Sequence, residues 1–200
     1  QAHGFATRAS NELWSSSIML APRGTITDIN GIELARSVAA INIVVDQTMI
    51  VDPATTAQVV APTLGIDPQH LATLLTGTKR YQIIVKQAAP VMWTNLNDTL
   101  DSYNKNVMKE RGGLAKRIVG FFSERSYVRD YPTGRLAASL VGIINDAGVG
   151  ASGLESSMEN VLAGKNGRYD YANGAGTIIP GSQQFVTEAK AGTGIELTID

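Results

Sequence analysis

RGTITDINGIELA, residues Arg23 to Ala35, decides how the rest of this chain is read. β-prone residues flank Asn30-Gly31, and that dipeptide is the strongest short-range hairpin signal, because a type I′ turn needs φ > 0 at both central positions. The stretch is expected to be a hairpin with arms Thr25–Ile29 and Ile32–Arg36. Its polar residues Asp28, Asn30 and Glu33 raise a second question: whether they form a working site or only a turn.

Moving outward, Ser37–Asp46 continues as a strand rich in β-branched residues. Asp52-Pro53 reads as an N-cap followed by proline at the first helical position, with Gly65 as the stop, and Asp67-Pro68 to Gly77 repeats that grammar. Tyr81–Gln87 is a predicted strand. Pro90 to about Arg111 is a predicted long helix, with Val91, Leu96, Leu100, Tyr103 and Val107 near helical spacing and Gly112-Gly113 ending it. Ile118–Phe122 and Tyr127–Arg129 are strand candidates, and Arg135–Ile144 is a short apolar helix. The tail is turn-rich: Asn166-Gly167, Asn173-Gly174 and Pro180-Gly181 separate short strands, and Ile195–Ile199 closes the chain on another. No repeat or low-complexity linker is present. Helices interrupt strands irregularly, which predicts an α+β fold rather than a doubly wound sheet.

The chain has 200 residues, 44% hydrophobic and 18% charged, enough for a real core, and its net charge of -1 gives no global attraction to nucleic acid or anionic lipid. It has no cysteine, so disulfides and thiolate metal sites are excluded. No apolar run approaches the roughly 20 residues that span a bilayer. The chain starts at Gln1 and is read as a fragment or processed product whose targeting segment has been cut away. From Lys105 to Arg135, eight basic residues face three acidic ones, a local net of +5. This is read as a solvated face, with a docking surface for an acidic partner as the alternative.

Few residues suggest chemistry. His3 and His70 are far apart and have no cysteine to join them, so no metal or other cofactor is expected. There is no phosphate-binding glycine loop and no serine elbow. Ser102-Tyr103-Asn104-Lys105 spells S-x-x-K, the serine–lysine pair of penicillin-recognising enzymes. Thirteen serines and seven lysines make about half such a match expected by chance. The same residues also supply the only nearby S-x-N, which in a working site comes from a separate element, and Lys190-Ala191-Gly192 is a poor K-T-G. The site is rejected, and no catalytic residue is assigned.

The resemblance that holds is to another part of those proteins. RGTITDINGIELA resembles the first motif of the non-catalytic N-terminal module of class B penicillin-binding proteins, close to R-G-x-I-x-D-R-N-G-x-x-L-A. Arg23, Gly24, Ile26, Asp28, Asn30, Gly31, Leu34 and Ala35 match, and Ile29 stands where the family usually has arginine. RDYPTGRLAASLVG, Arg129 to Gly142, resembles the R-x-Y-P segment with Tyr131 and Pro132. GASGLESSMENVLAGKNG, Gly150 to Gly167, resembles G-x-x-G-x-E followed by L-x-G-x-x-G, carrying Gly153, Glu155 and Gly164. Leu197–Asp200 is like the junction with the transpeptidase domain. The wording between the motifs is most similar to the cell-division type from actinobacteria.

The resemblance implies a pedestal, or dimerisation, domain with a small mixed-sheet base (residues 1–45 and 114–200) and an inserted head lobe (46–113). It implies a protein anchored at the extracytoplasmic face of the plasma membrane, whose transpeptidase domain would follow residue 200. The implied partners are that transpeptidase domain, divisome or cell-wall synthesis membrane proteins, and a second copy in a homodimer, with no nucleic acid. Alternatives are a self-sufficient acyl-enzyme on Ser102 and Lys105, or an unrelated extracytoplasmic binding module.

Residue by residue, Ser152–Glu155 fits a capping box, in which serine and glutamate satisfy each other's backbone N–H groups. Glu155 is alternatively an ion-pair partner for a motif arginine. Gly150 and Gly153 permit close backbone approach, and Pro132 stiffens the chain and keeps Tyr131 extended. Arg23 and Arg129 suit forked bonds to carboxylates, a geometry lysine cannot reproduce. The expectation is that one of them pairs with Glu155 or Asp28 and clamps the motifs together.

Overall fold

A computed structural model of the chain describes residues 14–110, 112–134, 138–174, 177–178 and 184–199. His3, Arg111, Arg135, Pro180-Gly181 and Asp200 lie outside the described residues. In chain order the strands are β1 (Trp14–Met19), β2 (Ile26–Thr27), β3 (Glu33–Val45), β4 (Gln82–Ala88), β5 (Phe121–Asp130), β6 (Gly167–Gly174), β7 (Thr177–Ile178), β8 (Gln184–Thr187) and β9 (Ile195–Glu196). The helices are α1 (Pro53–Leu64), α2 (Pro68–Leu75), α3 (Pro90–Val107), α4 (Ala138–Val141), α5 (Gly153–Ser157) and α6 (Glu159–Leu162). The fold is α+β, as the irregular alternation predicted. Among the described residues no helix is long and apolar enough to cross a membrane.

Two units result: residues 1–38 with 127–200, and residues 39–126. The chain passes between them inside β3 and inside β5. The expected inserted lobe, 46–113, lies within the second unit.

The first unit contains two sheets. In one, β1 pairs antiparallel with β6, Trp14 facing Ala172 through to Met19 facing Gly167, and β7 and β8 also pair with β6. In the other, β2 lies antiparallel to the start of β3 and parallel to β9, Ile26 opposite Ala35 and Ile195. Ile26, Leu34, Ala35, Val141 and Leu162 are buried together, with Tyr131, Leu154, Met158, Ile195 and Leu197 packed around them.

The opening hairpin forms, but not with the predicted turn. Gly31 has φ +80°, whereas Gln87 is the only non-glycine with positive φ among the described residues, so Asn30 does not take the type I′ conformation. Instead Gly31 N–H donates to Asp28 O at 3.1 Å, and the pairing shifts register between Ile26 and Thr27. This is a turn closed by a left-handed glycine, a three-residue relative of the expected loop. Asp28 explains the difference: its buried carboxylate accepts from Asn30 N–H at 2.9 Å and from Ile32 N–H at 2.8 Å, which holds Asn30 right-handed. Asp28→Ala leaves both N–H groups without this acceptor and is expected to lower stability by about 1–3 kcal/mol. A urea midpoint equal to that of the unsubstituted chain would refute this role for Asp28.

The second unit is a helical layer on a short ladder. The end of β3 pairs antiparallel with β4, and a bulge between Ile41 and Ile43 puts Gln87 at φ +53°, its N–H donating to Asn42 Oδ1 at 2.9 Å. The two proline-led helices start as predicted. Asp52 accepts from Thr55 N–H at 3.0 Å above Pro53, and Asp67 from Gln69 and His70 N–H above Pro68. Gly65 ends α1 with φ +65°. Ile43, Val45, Val60, Leu71, Leu75 and Leu96 are fully buried between these elements, each worth about 1.5–3 kcal/mol relative to exposure.

Several boundaries differ from the sequence reading. The hairpin arm and Ser37–Asp46 are one strand, β3, and the two candidates around Ile118–Arg129 merge into β5. α3 ends at Val107 rather than near residue 111, with Met108 N–H bonding back to Asn104 O. Asn166-Gly167 leads into β6 and Asn173-Gly174 lies at its end, so neither dipeptide stands apart from strand.

Candidate functional site

The three sequence motifs meet in the first unit. Arg23 sits on the segment entering β2, Arg129 near the end of β5, and Glu155 on the first turn of α5. Glu155 is 0% exposed. An isolated buried carboxylate is costly, so its partners decide whether the arrangement is stable.

Both arginines supply them. Arg23 Nε donates to Glu155 Oε2 at 2.5 Å and Arg129 Nε to Oε1 at 2.7 Å, so one carboxylate is shared between two forks. Arg23 Nη2 also donates to the Glu155 backbone O at 2.6 Å and lies 2.7 Å from Glu159 Oε2. Arg129 Nη1 reaches Arg23 O at 3.4 Å and Ser37 Oγ at 3.3 Å. Ser37 Oγ in turn accepts from Arg23 N–H and donates to Arg23 O. Glu159 completes the ring by accepting from Gly150 N–H at 2.9 Å. Two guanidinium groups and two carboxylates therefore balance, within charge-assisted bonds that are about twice as strong as neutral ones. Arg129 Nη2 and Thr133 Oγ1 are buried without a partner among the described residues.

The network moves the titration of its members. Burial pulls the Arg23 guanidinium down, but hydrogen bonds to Glu159 and Glu155 and their charges outweigh it and leave it above its ordinary value. The bond from Arg23 holds the Glu159 carboxyl below its ordinary 4.5, against the opposing effect of burial. Tyr131 is raised by burial and by the Glu155 charge. Since the Glu159 pKa is lower folded than unfolded, its contribution is fully present above pH 4.5 and is lost as pH falls through the folded value. Glu159→Gln is accordingly expected to cost stability at pH 7, with the difference shrinking below about pH 4. Urea midpoints at the two pH values check this; an undiminished gap at low pH would sink it.

The remaining motif residues surround this ring. Tyr131 OH accepts from Ile144 N–H at 3.2 Å, and Tyr131 O accepts from Gly134 N–H at 2.9 Å, so Pro132 occupies the second position of a β-turn. Gly24 N–H donates to Leu162 O at 2.8 Å. Gly153 packs on Gly142 and Leu140 O, Gly164 on Pro22 O and Lys190 O, and Gly167 on Thr187 O, all closer than a side chain permits. Asn30 and Gly31 lie at the hairpin tip with Asp28, whose carboxylate serves the turn rather than either motif arginine among the described residues.

The capping box does not form. Ser152 is the N-cap of α5 but makes no side-chain cap bond; its Oγ accepts from Ile143 N–H at 3.2 Å. Glu155 turns inward because two guanidinium donors bind a carboxylate more strongly than one backbone N–H. Glu159 and Ser37 were not anticipated. Glu159 lies four residues beyond Glu155, a spacing that on one continuous helix puts both on the same face, and that signal could have found it, although Met158 breaks the helix between them. Nothing in the sequence singles out Ser37.

Ser102 and Lys105 are both exposed on α3, in the second unit. His70 is exposed on α2.

The family model described as "Penicillin-binding Protein dimerisation domain" matches residues 18–197. Penicillin-binding protein PbpB of Mycolicibacterium smegmatis is 32% identical over 219 residues, an alignment that covers 100% of this chain and 33% of that protein. The chain thus spans about a third of the length of the curated relatives it matches. Among solved structures, a peptidoglycan synthetase from Bifidobacterium adolescentis aligns with a TM-score of 0.57 at 25% identity, covering 94% of this chain and 36% of that one. A complex of penicillin-binding protein PBP2 with MreC from Helicobacter pylori has the same fold, with a TM-score of 0.59 at 16% identity, 94% of this chain and 37% of that one.

Proposed function

The chain belongs to the penicillin-binding protein dimerisation-domain family, and from that premise we propose that it is the non-catalytic N-terminal module of a class B penicillin-binding protein. It holds a D,D-transpeptidase domain in position for peptidoglycan cross-linking at the extracytoplasmic face of the membrane. The observation that carries this reading is the shared Glu155 carboxylate. Three chain segments that are far apart in sequence are tied at one buried point, and the four charged side chains there are paired with one another. Such a ring stiffens a support. A reacting centre, by contrast, needs groups left free to meet a substrate.

The unit of residues 1–38 and 127–200 is the base, and residues 39–126 form a lobe that meets other proteins of cell-wall synthesis. The fold shared with PBP2, described in complex with MreC, supports a protein–protein role. The motif residues Arg23, Arg129 and Glu155 act as the clamp of the base.

A fluorescent β-lactam tests the non-catalytic reading. The 200-residue chain is expected to stay unlabelled under conditions that label a penicillin-binding transpeptidase stoichiometrically. Stoichiometric labelling abolished by Ser102→Ala overturns it.

A further inference from the structure

The second unit contains a cavity of about 440 Å³ that the clamp does not explain. Met49, Ile50 and Val119 give it apolar walls, and Val51 at its edge is 77% exposed. Leu114, next to the lining residue Ala115, is 70% exposed. Exposed apolar side chains scattered singly are ordinary, but grouped beside a concavity they suit contact with another molecule.

Charge indicates what kind of partner fits. Lys105 to Val119 carries five basic residues and one acidic, a net of +4, and this stretch runs directly into the cavity wall. Lys116 is paired with Glu110 at 2.6 Å. Arg117 lines the cavity, is exposed, and has no side-chain hydrogen bond or ion pair among the described residues. The one carboxylate in the lining, Asp52, is turned to the start of α1, where it accepts from Thr55 N–H and Oγ1. A pocket that joins apolar walls, Met49 among them, to an unpaired arginine matches the composition of protein–protein contacts.

We propose that this groove docks a peptide segment of another protein, with apolar residues seated in the cavity and acidic residues facing Arg117. The inference rests on the reading of residues 39–126 as a partner-binding lobe and gives that lobe a surface and a partner chemistry. One free arginine is too little for a polyanion, whose affinity comes from many phosphate contacts. The exposed valine and leucine require an apolar anchor as well as a charge.

The test uses the 200-residue chain and a fluorescein-labelled amphipathic peptide with leucine on one face and glutamate on the other, read by anisotropy. Saturable binding is expected, weakened about tenfold or more by Arg117→Glu and by Val119→Asp. Peptides with lysine in place of glutamate, or serine in place of leucine, are expected not to bind. Backbone amide shifts in the unsubstituted chain are expected to cluster in residues 49–56 and 115–119, a readout that does not depend on either variant folding. Absence of binding, equal binding of the serine peptide, or shifts elsewhere overturn the proposal. It is also overturned if phosphatidylglycerol vesicles alone bind through Arg117, or if Arg117 governs self-association of the chain instead. These outcomes are independent of β-lactam labelling, so the groove and the non-catalytic reading fail separately.

Discussion

Glu155→Ala is expected to destabilise the base more than any other single charge removal in the chain. It takes the shared carboxylate from between Arg23 Nε and Arg129 Nε, which stay buried with side chains 8% and 2% exposed. Breaking a buried pair costs about 3–5 kcal/mol because a charge is left unpaired. At about 2–4 °C per kcal/mol for a chain of this size, the melting temperature should fall by roughly 6–20 °C. Glu155→Gln keeps a carbonyl acceptor for one guanidinium and should fall less. The decisive comparison is Arg23→Met/Glu155→Leu/Arg129→Met, which removes all three buried charges at similar volume. It should be more stable than Glu155→Ala alone, since well-packed apolar substitutes for a buried triad are often neutral or better. If the triple variant is the worse of the two, the bridge itself rather than the orphaned charge carries the stability. If Glu155→Ala melts within about 2 °C of the unsubstituted chain, below the shift for 1 kcal/mol, the clamp is not holding the base together.

The sequence announced the parts of this site but not its wiring. Asn30-Gly31 was legible as a hairpin because glycine at a turn is a local requirement, and Gly31 does take positive φ. The turn type was not, because Asp28 overrides the dipeptide preference with two side-chain bonds, an effect that depends on where its carboxylate points. The proline-led helices were read correctly for the same local reason: Asp52 and Asp67 cap N–H groups two or three residues away. Glu155 shows the opposite case. Local pattern assigns it to a capping box, but its partners come from 132 and 26 residues away and win by charge. The family resemblance was what placed Arg23, Arg129 and Glu155 on the same short roster, since no periodicity joins them. Strand boundaries failed where burial changes face: β3 is one strand, yet Arg36, Val38 and Ala39 in its middle are exposed, which breaks the alternation expected of a single half-buried strand.

Gly150→Ala tests the clamp from its backbone side. A Cβ built on Gly150 would lie 1.9 Å from the Glu155 backbone O, far inside contact distance. That oxygen is the acceptor for Arg23 Nη2, and Gly150 N–H is itself a donor to Glu159. One methyl group therefore presses on both carboxylate-bearing residues of the ring. Backbone cannot yield as a side-chain tip can, so either α5 moves from Arg23 or the backbone at Gly150 moves from Glu159. The cost is expected at or above the roughly 1–3 kcal/mol of ordinary overpacking. Gly148→Ala, two residues away, is the control: it has φ +79° but open space around it, so only the backbone preference of about 1 kcal/mol applies. The coupling gives a sharper readout than the ranking. In a background where Glu159→Gln has already loosened the ring, Gly150→Ala should cost less than it does alone, because residues sharing one network do not add. Strict additivity would mean that the methyl clash is relieved without disturbing Arg23, and that the glycine serves packing alone.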